Sequence, residues 1–285
     1  MKGWSSTLWG SVVASLEVTR PHNGVLVACA VIGGSRASAS ESLAPATLLL
    51  AALACGLVTA GSSVVNDIVD EDLDSRTRPL RPLPSGRLTR RAAWRVYVIV
   101  NGLALGSAAL AGWKSLAVVL AWMYLMYVYT CTFKRRTPLS SILVAGVAGS
   151  AFWVGGWLGS DATSTLVISM VAFLFVIGRE ILKDVETYSV DLDAGVPTIA
   201  GALGEDSARV VGAIACGLAL AVGTWQSLLG SRGLGPPFHW YVVLPLGATA
   251  VSLALMGHEN RRKVTLATQL LKCVMIAWTI QVAIG

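Results

Sequence analysis

Nine segments of this 285-residue chain are long and apolar enough to cross a bilayer as helices, near 21–38, 43–65, 91–112, 115–133, 138–159, 164–183, 207–229, 237–257 and 264–284. A helix needs ~20 apolar residues to cover about 30 Å of hydrocarbon. No other feature restricts the fold as strongly, because in lipid only helices and closed barrels satisfy their own backbone. Alternation of apolar and polar residues, the mark of a barrel strand, is absent, and the 29 glycines suit close helix contacts. A mean hydropathy of +0.66 with 13% charged residues excludes an ordinary soluble domain. The expectation is an all-α, polytopic membrane protein of nine transmembrane helices, forming one domain over 1–285.

Charge gives the orientation. Threading nine crossings gathers 18 of the 22 lysines and arginines on one face, including Arg76, Arg78, Arg81, Arg87, Arg90, Arg91, Lys134, Arg135, Arg136, Arg261, Arg262 and Lys263. Arg36, Lys114 and Arg232 fall opposite, and Lys272 lies inside the last span. Basic loops stay cytoplasmic, so the charged loops are placed there. The net charge of +6 is thus a topology signal, and a nucleic-acid partner is not expected, since no soluble basic module interleaved with aromatics is present. Residues 1–19 lack the apolar core and cleavage site of a removable signal, which predicts an amphipathic lead-in helix. Cys29, Cys55, Cys131, Cys216 and Cys273 have no metal or redox spacing and read as small buried hydrophobes. His22, His239 and His258 are isolated from one another, so no histidine metal site is expected.

Against this apolar background, two acidic clusters stand out at span ends on the basic face. "NDIVDEDLD", 66–74, holds four aspartates and a glutamate; "KDVETYSVDLD", 183–193, is the second. At 100° per residue, a helix continuing through the first motif puts Asp70 at about −60° and Asp74 at about −20° from Asp67, with Asn66 at the edge of that face. In the second, Asp191 lies at about −20° from Asp184, with Glu180, Thr187 and Tyr188 within about 60°. An acidic run at a helix end is usually a solvated surface, but three aligned aspartates after an apolar span call for a counter-charge. Carboxylates at this density repel one another unless a cation intervenes, and hard oxygen ligands suit Mg2+, which shares its shell with phosphate oxygens. Basic residues in "SRTRPLRPLPSGR" and "KRR" at 134–136 would contact the same phosphates. The combination describes a diphosphate site.

These motifs resemble the UbiA superfamily of intramembrane prenyltransferases. "NDIVDEDLD" is similar to its NDxxDxxxD motif, "TRPLRPLPSGRLT" to the RPxRPxPSG segment that follows, and "REILKDVETYSVDLDAGVPTIAGALG" to its second aspartate region. The resemblance implies nine helices around a central cavity. It implies that Asn66, Asp67, Asp70 and Asp74 hold one Mg2+, that Asp184 and Asp191 hold a second, and that an isoprenyl diphosphate lies between. Asp67, Asp70, Asp184 and Asp191 would carry the catalysis, with Lys134, Arg78, Lys183 and Tyr188 as substrate-binding candidates. The opening "EVTRPHNGVLVACAVIGG" is similar to the first helix of the digeranylgeranylglyceryl phosphate synthase branch, where Asn23 would face the cavity. Two departures stand out: Thr187 occupies a position usually held by aspartate, with Ser189 after it, and Ser140–Ser141 replaces a glycine-asparagine pair.

The implied reaction is Mg2+-dependent transfer of an isoprenyl group, taken as geranylgeranyl, from its diphosphate to a lipophilic or amphipathic acceptor through a carbocation-like transition state. Trp122, Tyr124, Tyr127, Phe152 and Trp153 are candidates to line the cavity, each equally at home in helix packing. The alternative in the same chemistry is a UbiA-type terpene cyclase that needs no acceptor. A cation-coupled transporter would place its acids near helix midpoints, and a structural protein gives no reason for aligned acids in two loops.

Overall fold

A computed structural model of the chain describes residues 2–38, 43–134, 137–138, 140–228, 240–259 and 261–284, all helix or short turn with no strand among the described residues. The helices are α1 (Lys2–Thr19), α2 (Pro21–Ala37), α3 (Pro45–Val69), α4 (Glu71–Thr77), α5 (Arg90–Ala111), α6 (Trp113–Val128), α7 (Ser140–Leu158), α8 (Leu166–Glu186), α9 (Tyr188–Asp193), α10 (Ile199–Leu203), α11 (Glu205–Leu228), α12 (Trp240–Leu255) and α13 (Arg261–Ile284). A π-helical turn, Tyr129–Phe133, extends α6.

Each of the nine expected segments falls on a helix, and among the described residues seven of these helices are long and apolar enough to cross a membrane: α3, α5, α6 with its π turn, α7, α8 with the turn before it, α11 and α13. The other two are shorter, 17 residues for α2 and 16 for α12. At 1.5 Å per residue they rise only about 25 Å. The expected segment 21–38 coincides with α2, a single short helix, and the start of the segment 237–257 lies outside the described residues. The architecture is that of an all-α, multi-pass membrane protein.

The helices gather in two compact units, residues 1–28 with 45–132, and residues 29–44 with 133–285. In the first, α3 packs on α5 and α6, and α1 lies on α3. Prolines open α2 and α3 at the first helical position, where a missing N–H costs nothing. Arg20 turns the chain from α1 to α2 with φ of 45°, a left-handed conformation uncommon outside glycine. Gly112, at φ 113°, makes the whole turn between α5 and α6. A cluster of Ala14, Val18, Val64, Ile68, Leu83, Leu88 and Ala93 joins α1, the end of α3, the 78–89 loop and the start of α5. Leu83 and Leu88 are each only 4% exposed, so the loop is pinned by its own leucines, at about 1.5–3 kcal/mol per side chain.

Thr89 caps α5, its hydroxyl accepting the Ala92 N–H at 3.2 Å. Thr89→Ala is expected to lower stability by about 1 kcal/mol while Thr89→Ser keeps it, as thermal unfolding in detergent would show.

In the second unit α8 is central, packed on α7, α11 and α13, with α12 against α11 and α13. Close crossings rest on glycine. A Cβ at Gly34 of α2 would run into the Phe152 carbonyl of α7, and one at Gly155 into the Val31 carbonyl. Arg209 of α11, 7% exposed, donates to the Ala254 and Leu255 carbonyls at the end of α12 and to Asp206, capping that helix from its neighbour. Cys55 and Cys216 are buried as expected and Cys29 is half-buried, but Cys131 and Cys273 are exposed on helix surfaces, since apolar sequence surroundings do not distinguish a lipid-facing position from a core one.

Candidate active site

The first acidic cluster is a helix that bends without losing register. α3 ends at Val69, Asp70 takes φ −88° and ψ 3°, and α4 begins at Glu71. The i to i−4 bonds persist, from the Asp70 N–H to Asn66 O at 2.9 Å and from the Asp74 N–H to Asp70 O at 2.7 Å. The aspartates therefore keep their common face: Asp67, Asp70 and Asp74 are 5%, 7% and 3% exposed, whereas Asp72 points outward and Asn66 is half-buried.

Two arginines meet these carboxylates. Arg20 donates to Asp67 Oδ1, and Arg81 bridges Asp74 Oδ2 and Asp67 Oδ1, the latter at 3.4 Å. Burial of unpaired carboxylates would be costly, and guanidinium groups are the side chains best shaped to offset it. The leucine-pinned loop carries Arg81 to this position, and the α1–α2 turn delivers Arg20. Arg87 clamps the loop to α1, reaching both carboxylate oxygens of Glu17 at 2.7 and 3.0 Å and the Leu80 carbonyl at 2.7 Å. Arg90 pairs with Glu71 at 2.9 Å. Arg78 is exposed at the end of α4, its N–H on Asp74 O at 2.7 Å. Asn23 lies half-buried in the first turn of α2, its N–H on Arg20 O. The residue of the RP-rich loop that pairs with the aspartates is Arg81, a contact the sequence reading did not anticipate. The repeated Arg-Pro pairs, at 20–21, 78–79 and 81–82, are the signal that would have found Arg20 and Arg81 together.

The second cluster lies where α8 gives way to α9. Glu180 is held between Arg179 at 2.9 Å and Lys183 at 3.0 Å. Asp184 Oδ2 accepts from the Ser141 hydroxyl at 3.2 Å, and Asp191 Oδ2 from Thr187 at 2.6 Å. Glu186 accepts from Thr268 at 3.2 Å. Tyr188 packs against Ile177, Ile181, Val185, Ala200 and their neighbours, so its ring helps hold α9 down on α8. Lys134 follows the π turn and is half-buried; Arg135 and Arg136, expected beside it, lie outside the described residues. Among the aromatic candidates, Tyr124 and Tyr127 are exposed, Trp122 is buried, Phe152 packs on Trp278 at 5.3 Å and Trp153 stacks on Trp157 at 6.0 Å.

Among the described residues no three His, Cys, Asp or Glu side chains converge on one point as a ready metal cage. Mg2+ does not need one: it commonly takes one or two carboxylates and completes its octahedron with waters and substrate phosphates. The donor chemistry fits it in kind, since the buried groups are all carboxylates, with three negative charges on the first face against two arginines.

The family model for the UbiA prenyltransferase family matches residues 6–278. A digeranylgeranylglyceryl phosphate synthase of Methanoculleus marisnigri is 34% identical over 233 residues, spanning 79% of this chain and 82% of that protein. The solved structure of a UbiA homologue from Aeropyrum pernix K1 superposes with a TM-score of 0.76 at 20% identity, over 93% of this chain and 99% of the other. A UbiA homologue from Archaeoglobus fulgidus bound to GPP and Mg2+ superposes with a TM-score of 0.65 at 18% identity, over 95% of this chain and all of the other.

Proposed function

Since the chain belongs to the UbiA prenyltransferase family and is an alkyl-transferring enzyme, we propose that it moves a geranylgeranyl group from its diphosphate to a glycerol-phosphate lipid. The 34% identity to a digeranylgeranylglyceryl phosphate synthase carries this reading. Such a product bears two geranylgeranyl chains on one glyceryl phosphate, so an enzyme adding the second takes a geranylgeranyl donor and a geranylgeranylglyceryl phosphate acceptor.

In this reading the chain works as one domain of 1–285, and each acidic cluster offers carboxylates for a metal-bound diphosphate on the cytoplasmic side. Asn66, Asp67, Asp70 and Asp74 would hold one Mg2+, and Asp184 and Asp191 a second. Bound there, Mg2+ supplies charge stabilisation to the leaving diphosphate. Arg81 and Arg20, already on the aspartates, keep the buried carboxylates in place, and Arg78, Lys134 and Lys183 offer donors to phosphate oxygens. Asn23 faces the cavity, and Tyr188 walls the second cluster. The bond between the first allylic carbon and the diphosphate oxygen breaks, the acceptor hydroxyl oxygen bonds to that carbon, and its proton passes to the released diphosphate. Apolar walls exclude water from the allylic cation, and the tail contributes ~0.8 kcal/mol per buried methylene.

Purified protein incubated with geranylgeranyl diphosphate, Mg2+ and geranylgeranylglyceryl phosphate is expected to yield the diether phosphate and free diphosphate, and to yield neither when chelator replaces Mg2+. A cyclic hydrocarbon formed without acceptor would overturn transfer in favour of cyclisation.

A further inference from the structure

Among the described residues, both aspartates proposed for the second metal are engaged on one oxygen, and in both cases by a hydroxyl. Ser141 is 8% exposed and its Oγ donates to Asp184 Oδ2. Thr187 Oγ1 lies 2.6 Å from Asp191 Oδ2 and 3.2 Å from the Lys183 carbonyl. A hydroxyl has a single proton, and at these distances it goes to the charged acceptor. The Oδ1 atoms of Asp184 and Asp191 take no hydrogen bond among the described residues.

The two bonds span different parts of the fold. Ser141 sits in the first turn of α7 and reaches across to α8, fixing the carboxylate of one helix from another. Thr187 occupies the junction residue between α8 and α9, with φ −99° and ψ 7°, and reaches one turn ahead to Asp191. Each bond restricts a carboxylate rotation that would otherwise be free, and both leave the same kind of atom available.

We infer that Ser141 and Thr187 are positioning residues, each holding one oxygen of its aspartate so that Asp184 and Asp191 each present a single oxygen to a divalent cation. The inference rests on the metal reading above and deepens it. Hydroxyl orientation takes the place of an added carboxylate: Thr187 brings no charge of its own and lowers the freedom of the charge already present. Hydrogen-bond partners of ligating groups typically contribute 10–100-fold in metal affinity.

Mn2+ binding to the full chain in detergent, followed by electron paramagnetic resonance with inorganic diphosphate present, reads this directly. Thr187→Val, which keeps shape and removes the donor, is expected to weaken Mn2+ binding by about tenfold, with Ser141→Ala weakening it similarly. Thr187→Ser restores the donor and is expected to restore binding. A merely structural role for Thr187 would move the melting temperature without this pattern of loss and rescue. Should Thr187→Val not fold, Thr187→Ala supports the same comparison. Wild-type affinity in the donorless variant, or no recovery with serine, overturns the inference alone; absence of Mn2+ binding by the wild type overturns the metal reading and the inference with it.

Discussion

Asp67→Asn is expected to cut Mg2+-dependent release of diphosphate by about a hundredfold or more, while the protein stays in the membrane. The side chain is 5% exposed and receives both Arg20 and Arg81. Asparagine preserves its size and one acceptor oxygen but removes the charge that pairs with two guanidinium groups. The control lies within the same motif. Asp72 is five residues along, faces outward and makes no part of the buried face, so Asp72→Asn is expected to stay within about twofold of wild type. A diphosphate-release assay on the two variants decides whether position on the helix face, rather than acidity of the segment, matters. Equal activities would remove the buried aspartates from the chemistry.

The second large effect concerns folding. Gly34→Val is expected to destabilise the second unit by about 3 kcal/mol or more, read as loss of monodisperse protein in detergent or a lowered melting temperature. A Cβ there meets the backbone of Phe152, and backbone cannot rotate out of the way as a side chain can. Gly155 opposes it across the same crossing, against Val31, so α2 and α7 approach closely through two glycines in the manner of membrane helix pairs. Gly106 in α5 has open space around it, and Gly106→Ala is expected to be tolerated or to add about 0.5–1 kcal/mol through helix propensity. A well-folded Gly34→Val protein would contradict the packing described for this crossing.

Helix positions were legible in the sequence because a run of apolar residues long enough to matter in lipid has few other solutions. The common face of Asp67, Asp70 and Asp74 was legible too, since hydrogen-bond register survives the bend at Asp70. The bend itself was not, because neither glycine nor proline marks it: Val69, Asp70 and Glu71 stand where α3 gives way to α4. Arg20 was counted only as topology charge; its contact with Asp67 depends on a left-handed turn at a non-glycine residue, which residue preferences argue against. Arg81 and Arg78 look alike in "TRPLRPLPSG", and the burial of Leu83 and Leu88 decides which one reaches the carboxylates. The hydroxyl bonds of Ser141 and Thr187 were invisible for a related reason. Serine and threonine are read as substitutions until a structure shows which acceptor they face.

Arg20 is at once the corner of the chain and the counter-ion of an aspartate 47 residues downstream. The junction of α1 and α2 is thereby tied to the end of α3 by one ion pair, so replacing Arg20 or Asp67 loosens a corner of the fold as well as removing a charge.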